Sequence, residues 1–144
     1  MRLNSILLIE DDRINALTFK RGLSRVNNDI ELITIETAET ALTYLRDGDS
    51  TKPCLIVLDL HLPKMNGIEF LTILKSDADL KSIPVVVLTT SSNPQHKINC
   101  YNLQVAGYFI KPLDYFELIK SIFSYWGQSE FAQPIKEKAT RNSL

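Results

Sequence analysis

The chain has 144 residues, 44% hydrophobic and 23% charged, which is enough for one domain around one sizeable core. Its 16 basic and 17 acidic residues leave a net charge of −1 with no basic cluster, so there is no electrostatic case for a nucleic-acid partner. No apolar run approaches the roughly 20 residues of a membrane-spanning helix, and the start lacks the form of a secretory leader, so a cytoplasmic protein without membrane contact is expected.

Taken in chain order, short apolar runs alternate with longer amphipathic stretches. The runs are Ser5–Ile9, Ile30–Ile35, Cys54–Leu58, Val85–Leu88 and Gly107–Ile110. They are continuous rather than alternating, as strands covered on both faces are. Between them Ile14, Leu17, Phe19 and Leu23 suit a first helix, Ala38, Ala41, Leu42 and Leu45 a second, and Ile68, Leu71 and Leu74 a third. A weaker helix is expected around Ile98–Leu103, and a fifth containing Phe116, Ile119, Ile122 and Phe123. Asp47-Gly48-Asp49-Ser50, Asn66-Gly67, Ser91–Pro94 and Lys111-Pro112 are turn signals. Strict alternation of strand and helix predicts an α/β domain, a parallel sheet with helices on both faces. For five strands the common order is 2-1-3-4-5 (flavodoxin-like), with ligands at the carboxyl ends of the strands near the reversal between the first and third. The domain is expected over residues 1–127. Residues 128–144 are polar, with Lys136, Lys138 and Arg141 among Glu130 and Glu137, and read as a tail or helical extension rather than an output domain.

The chemistry gathers at the strand ends. Glu10-Asp11-Asp12 ends the first strand, Asp59 the third, Thr89-Thr90 the fourth and Lys111-Pro112 the fifth. Each has an ordinary use alone: an acidic triplet caps the next helix, with Asp12 a natural cap, and a lone Asp forms turns. In the expected order they share one crevice. Carboxylates meeting there repel each other and raise their pKa values unless a cation is present, and a hard divalent ion such as Mg²⁺ takes one or two carboxylates together with phosphate oxygens. A carboxylate such as Asp59 can then act as a nucleophile toward phosphorus, with Lys111 and the Thr89 hydroxyl on the phosphoryl oxygens. Cys54 and Cys100 form no Cys-x-x-Cys pair or disulfide framework and read as reduced packing residues. His61 and His96 stand at no ligand spacing from them, which argues against a zinc site.

Four segments resemble the receiver domains of two-component response regulators: Leu7-Leu8-Ile9-Glu10-Asp11-Asp12, the stretch from Val57 through Asp59 to Gly67, Pro84–Thr89, and Gly107-Tyr108-Phe109-Ile110-Lys111-Pro112. The resemblance covers about residues 4–125. It implies that Asp59 is phosphorylated by a sensor histidine kinase, that Asp11 and Asp59 hold Mg²⁺ with Glu10 in support, and that the backbone carbonyl of His61 supplies a further ligand. It also implies that Lys111 contacts the phosphoryl group before a cis peptide at Pro112. Thr89 and Tyr108 match the family's switch pair, so phosphorylation should draw Thr89 toward the new acceptor, let Tyr108 turn inward, and change the face formed by the fourth helix, fifth strand and fifth helix. Two positions depart from the commonest pattern: Thr90 stands where Ala is usual, and His61 where many members carry a smaller or polar residue. In the family, the positions of His61 and Ser91 tune phosphoryl lifetime. The Glu-Asp-Asp start and the Val-Leu-Thr-Thr-Ser segment look most like stand-alone regulators that partner phytochrome-type kinases.

Partners are then a kinase and a downstream protein or phosphotransfer protein. Tyr101, Tyr108, Phe109, Phe116, Phe123, Tyr125 and Trp126 crowd the last third, mostly as packing, although a few exposed ones would serve a homodimer or partner surface. Three competing readings differ at named residues. A phosphatase of the haloacid dehalogenase type needs a second Asp where His61 stands, and carries its nucleophile on the first strand. A flavin module needs a hydroxyl- and Gly-rich loop where Glu10-Asp11-Asp12 would repel the phosphate. A degenerate receiver lacks one of the acids, the Thr or the Lys, and none is missing. The expectation is a phosphoryl acceptor without independent substrate turnover.

Overall fold

The computed structural model describes residues 5–49 and 51–126, with the side chains of Tyr125 and Trp126 excepted. The expected tail at 128–144, the boundary before it, and any role for those two aromatics therefore lie outside the described residues. The elements run β1 (Ser5–Ile9), α1 (Arg13–Val26), β2 (Glu31–Ile35), α2 (Ala38–Arg46), β3 (Leu55–Leu58), α3 (Gly67–Ser76), β4 (Val85–Thr89), α4 (Pro94–Asn102), β5 (Gly107–Ile110) and α5 (Tyr115–Trp126). All strand pairs are parallel, in the order β2-β1-β3-β4-β5.

Side chains alternate across a strand, so a continuous apolar run supplies two cores at once. Leu7, Ile9, Ile56, Leu58, Val85, Val87 and Tyr108 face one side, over Ala41, Leu45, Phe70, Leu71, Leu74 and Cys100 of α2, α3 and α4. Ile6, Leu8, Leu55, Val57, Val86, Leu88 and Phe109 face the other, over Phe19, Leu23, Leu118, Ile119 and Ile122 of α1 and α5. Each fully buried Leu, Ile or Val contributes about 1.5–3 kcal/mol relative to an exposed one, so the double-sided sheet is the main source of stability. β2 departs from this pattern. It is an edge strand with Glu31 and Thr34 exposed and Leu32, Ile33 and Ile35 only half-buried.

The first helix also corrects an expectation. Ile14 and Leu17 were candidates for its core face, but they are 76% and 46% exposed. The helix buries Phe19, Gly22 and Leu23 instead. The 3.6-residue repeat puts Leu23 with Phe19, four positions earlier, and turns Ile14 toward solvent.

Helix starts follow from capping. The Asp12 carboxylate accepts from the N–H groups of Ile14 and Asn15. Asn66 and Glu69 form a reciprocal capping box on α3. Asn93 caps α4 with Pro94 at its first turn. That cap starts α4 at Pro94 rather than Ile98, because Pro fits the first helical turn where its missing N–H costs nothing. β3 begins at Leu55, leaving Cys54 half-buried before it, and β4 extends through Thr89.

Candidate functional site

The sheet register places the polar residues. Ile9 pairs with Leu58, so Glu10 and Asp59 leave β1 and β3 side by side. The Asp59 N–H donates to the Ile9 carbonyl at 3.1 Å and fixes the step. On the far side Thr89 pairs with Ile110, and the Lys111 N–H donates to the Thr89 carbonyl at 2.7 Å. The Lys111–Pro112 peptide is cis, as the family resemblance implies.

Lys111 closes the cluster. Its ammonium lies 2.6 Å from Glu10 Oε1 and 3.6 Å from Asp59 Oδ2, with the Lys111, Glu10 and Asp59 side chains 7%, 4% and 10% exposed. Burial pulls the Lys111 ammonium down, but the Glu10 hydrogen bond and the charges of Asp59 and Glu10 outweigh it and hold the ammonium above its usual range. Burial also pushes the Glu10 carboxyl up, and Lys111 offsets only part of that, while the Asp59 charge adds to the rise. The expected like-charge repulsion is present, but dehydration is the larger cause.

Asp11 is exposed at the mouth, and oxygens of Glu10, Asp11 and Asp59 lie within 4.8 Å of one another. This all-oxygen set suits a hard divalent cation. Asp59 keeps its other oxygen engaged, since Oδ1 accepts from the His61 N–H at 3.1 Å. Gly67 is required here: a Cβ would stand 2.6 Å from Leu60 Cα and 2.8 Å from the Asp59 carbonyl oxygen. The start of α3 is thereby pressed against the backbone that carries Asp59.

A second cluster, free of carboxylates and ammonium groups, centres on Ser91. Its N–H donates to Thr89 Oγ1 at 3.2 Å, and its carbonyl accepts from Tyr108 Oη at 3.1 Å. Its Oγ is hydrogen-bonded to His96 Nδ1 at 2.6 Å and accepts from the Asn93 N–H at 3.3 Å. Thr89 is fully buried, and Tyr108 is 1% exposed with its ring already turned inward. The family resemblance pairs Thr89 with Tyr108, but the sequence did not show that Ser91 joins them or that His96 bonds to Ser91. Both residues depend on where α4 starts, and the apolar spacing of α4 is too weak to mark that start. Of the other crowded aromatics, Phe109 is buried, whereas Tyr101, Phe116 and Phe123 are half-buried.

Comparison with known proteins agrees with this geometry. Residues 6–123 match the family described as the response regulator receiver domain. Response regulator Rcp1 of Synechocystis sp. is 39% identical over 128 residues, 84% of this chain and 87% of that protein. Its Mn²⁺-bound crystal structure superimposes with a TM-score of 0.79 at 38% identity, covering 88% of this chain and 96% of that one. The probable methanogenesis regulatory protein FilR2 of Methanothrix harundinacea is 36% identical over 127 residues, 84% of this chain and 82% of that protein. The phosphorylated cyanobacterial phytochrome response regulator RcpA gives a TM-score of 0.81 at 34% identity, covering 89% of this chain and 96% of that one. With the five-stranded order, the acidic cluster and these matches together, the chain belongs to the response regulator receiver domain family.

Proposed function

We infer that this receiver accepts a phosphoryl group from a sensor histidine kinase on Asp59 and relays the event by protein contact. The observation that carries the reading is the buried Lys111 ammonium set between Glu10 and Asp59. Phosphoryl transfer asks a protein for positioning and charge neutralisation. In the proposed step an Asp59 carboxylate oxygen bonds to phosphorus as the phosphorus–nitrogen bond of the donor phosphohistidine breaks, and the bonding pair leaves with the imidazole. Lys111, already within 3.6 Å of Asp59, meets the incoming negative charge. Mg²⁺ held by Asp11, Asp59 and Glu10, with the His61 carbonyl, would supply further charge neutralisation. The Thr89 hydroxyl then donates to a phosphoryl oxygen.

Ser91 bonds both Thr89 and Tyr108, so moving Thr89 disturbs the bond from Tyr108 as well. The signalling face is proposed as α4, β5 and α5, where Ile98 and Ile110 are 51% and 41% exposed. A phytochrome-type kinase is the favoured donor, on the likeness to Rcp1 and RcpA. The chain is an acceptor rather than a turnover enzyme. Asp59 ends the third strand, and two residues on stands His61 rather than the acid/base Asp of an aspartate-nucleophile phosphatase.

The test is phosphotransfer profiling against histidine kinases of the source organism, phytochrome-type ones included, with Asp59→Asn as control. Rapid labelling by one kinase, abolished in Asp59→Asn, is expected. Labelling that persists in Asp59→Asn overturns the assignment. Thr89→Ala should keep Asp59 able to accept phosphate while weakening the phosphorylation-dependent change in partner binding, and a full response in that variant breaks the proposed coupling.

A further inference from the structure

The chain has two histidines in all, and linear spacing gives no reason to connect them. The fold brings them together. His61 follows β3 and His96 lies in the first turn of α4, yet their ring centroids are 6.4 Å apart, edge to face at 65°. Both line one open cavity of about 460 Å³ together with Asp11. Neither imidazole belongs to the cluster of Glu10, Asp11 and Asp59.

We propose that His61 and His96 form a second metal site, specific for a borderline divalent transition ion such as Zn²⁺, at the mouth of the cleft. Three observations carry it. First, zinc sits about 2 Å from a ligating ring nitrogen, so two rings sharing one ion have centroids roughly 5–6.5 Å apart, and these rings stand 6.4 Å apart, at the outer end of that range. Second, His96 is already oriented. Metal-bound imidazoles use their other ring nitrogen to hold a fixed partner. Here Nδ1 is engaged by Ser91 Oγ at 2.6 Å, which leaves Nε2 as the ligand atom. The Asn93 N–H at 3.3 Å occupies one acceptor position of that oxygen, leaving another to receive a proton from Nδ1. Third, the chemistry separates the two sites. Imidazole nitrogen suits zinc, copper and nickel, whereas the Glu10, Asp11 and Asp59 oxygens suit magnesium and manganese. The exposed Asp11 carboxylate on the shared cavity supplies negative charge toward the cation. Because Ser91 also bonds Thr89 and Tyr108, an ion on His96 would be attached to the residue that joins the switch pair.

The test is a Zn²⁺ titration of the untagged protein in excess Mg²⁺, without any phosphoryl donor, read by calorimetry and by the imidazole resonances in NMR. One equivalent of Zn²⁺ should bind and perturb both imidazoles. His96→Gln and His61→Gln should each weaken it by about tenfold or more, and Ser91→Ala by about tenfold through the lost orienting bond. Asp59→Asn should leave Zn²⁺ binding in place, and His96→Gln should bind Mg²⁺ as the parent does, which also shows that the variant is folded. Zn²⁺ binding unchanged in His96→Gln, displaced by Mg²⁺, or absent in the parent overturns the proposal. Since no phosphoryl donor is used, these outcomes are independent of whether Asp59 is phosphorylated.

Discussion

Two clusters stand a few residues apart at the carboxyl end of the sheet, and they are built from opposite materials. Lys111, Glu10 and Asp59 are charges taken out of water and held against one another. Around Ser91, by contrast, Thr89, Tyr108 and His96 meet through hydrogen bonds without a carboxylate or an ammonium. Breaking a buried ion pair by deleting one partner costs several kcal/mol, because the other charge stays buried. A neutral hydrogen bond contributes about 1 kcal/mol net. The charged cluster is therefore costly to take apart, and the cluster around Ser91 is cheap to rearrange.

The largest expected effect is from Lys111→Met. Removing the ammonium leaves Glu10 and Asp59 side by side and buried, and urea unfolding in EDTA should show a loss of about 3–5 kcal/mol. A loss below about 1 kcal/mol would mean the cluster is not costly to take apart, and the contrast with Ser91 would fail. Gly67→Ala comes next. The new methyl has no room beside Leu60 and the Asp59 carbonyl, so about 1–3 kcal/mol should be lost along with slower labelling of Asp59. Tyr108→Phe removes one bond from the Ser91 cluster and should cost about 1 kcal/mol with labelling unchanged. Impaired labelling there would show that the two clusters are not separable.

The smallest expected effect is a slope with pH. Glu10 titrates above its usual 4.5 in the folded protein because it is buried. The native carboxyl keeps its proton where the unfolded one has lost it. This contribution to stability is therefore complete below about 4.5 and is lost as pH rises through the raised folded value. Urea midpoints in EDTA across that window should fall in the parent relative to Glu10→Gln. Lys111 acts at the other end: its folded value is raised, so its contribution holds below its unfolded value of about 10.5 and is lost as pH climbs through the raised one.

How much of this was legible in the sequence depended on whether a residue's place follows from the strands alone. Glu10, Asp59, Thr89 and Lys111 each end an apolar run, so the parallel order was enough to bring them together. Ile14 and Leu17 misled, because an apolar residue on a helix announces a core face even when, as here, it lies in solvent. Tyr108 could not be oriented, since a run apolar at every position does not say which side chain turns to which core. The bond of His96 to Ser91 stayed hidden because α4 buries Cys100 alone, and its start at Pro94 is set by the Asn93 cap rather than by periodicity.

The bond between Lys111 and Glu10 spans 101 residues of sequence, with β3 and β4 lying between the two strands that carry them. A nascent chain still awaiting β5, or one clipped ahead of Gly107, would display Asp59 in a sheet one strand short and without its ammonium. The charged cluster around Asp59 is thus finished only by the last strand of the sheet.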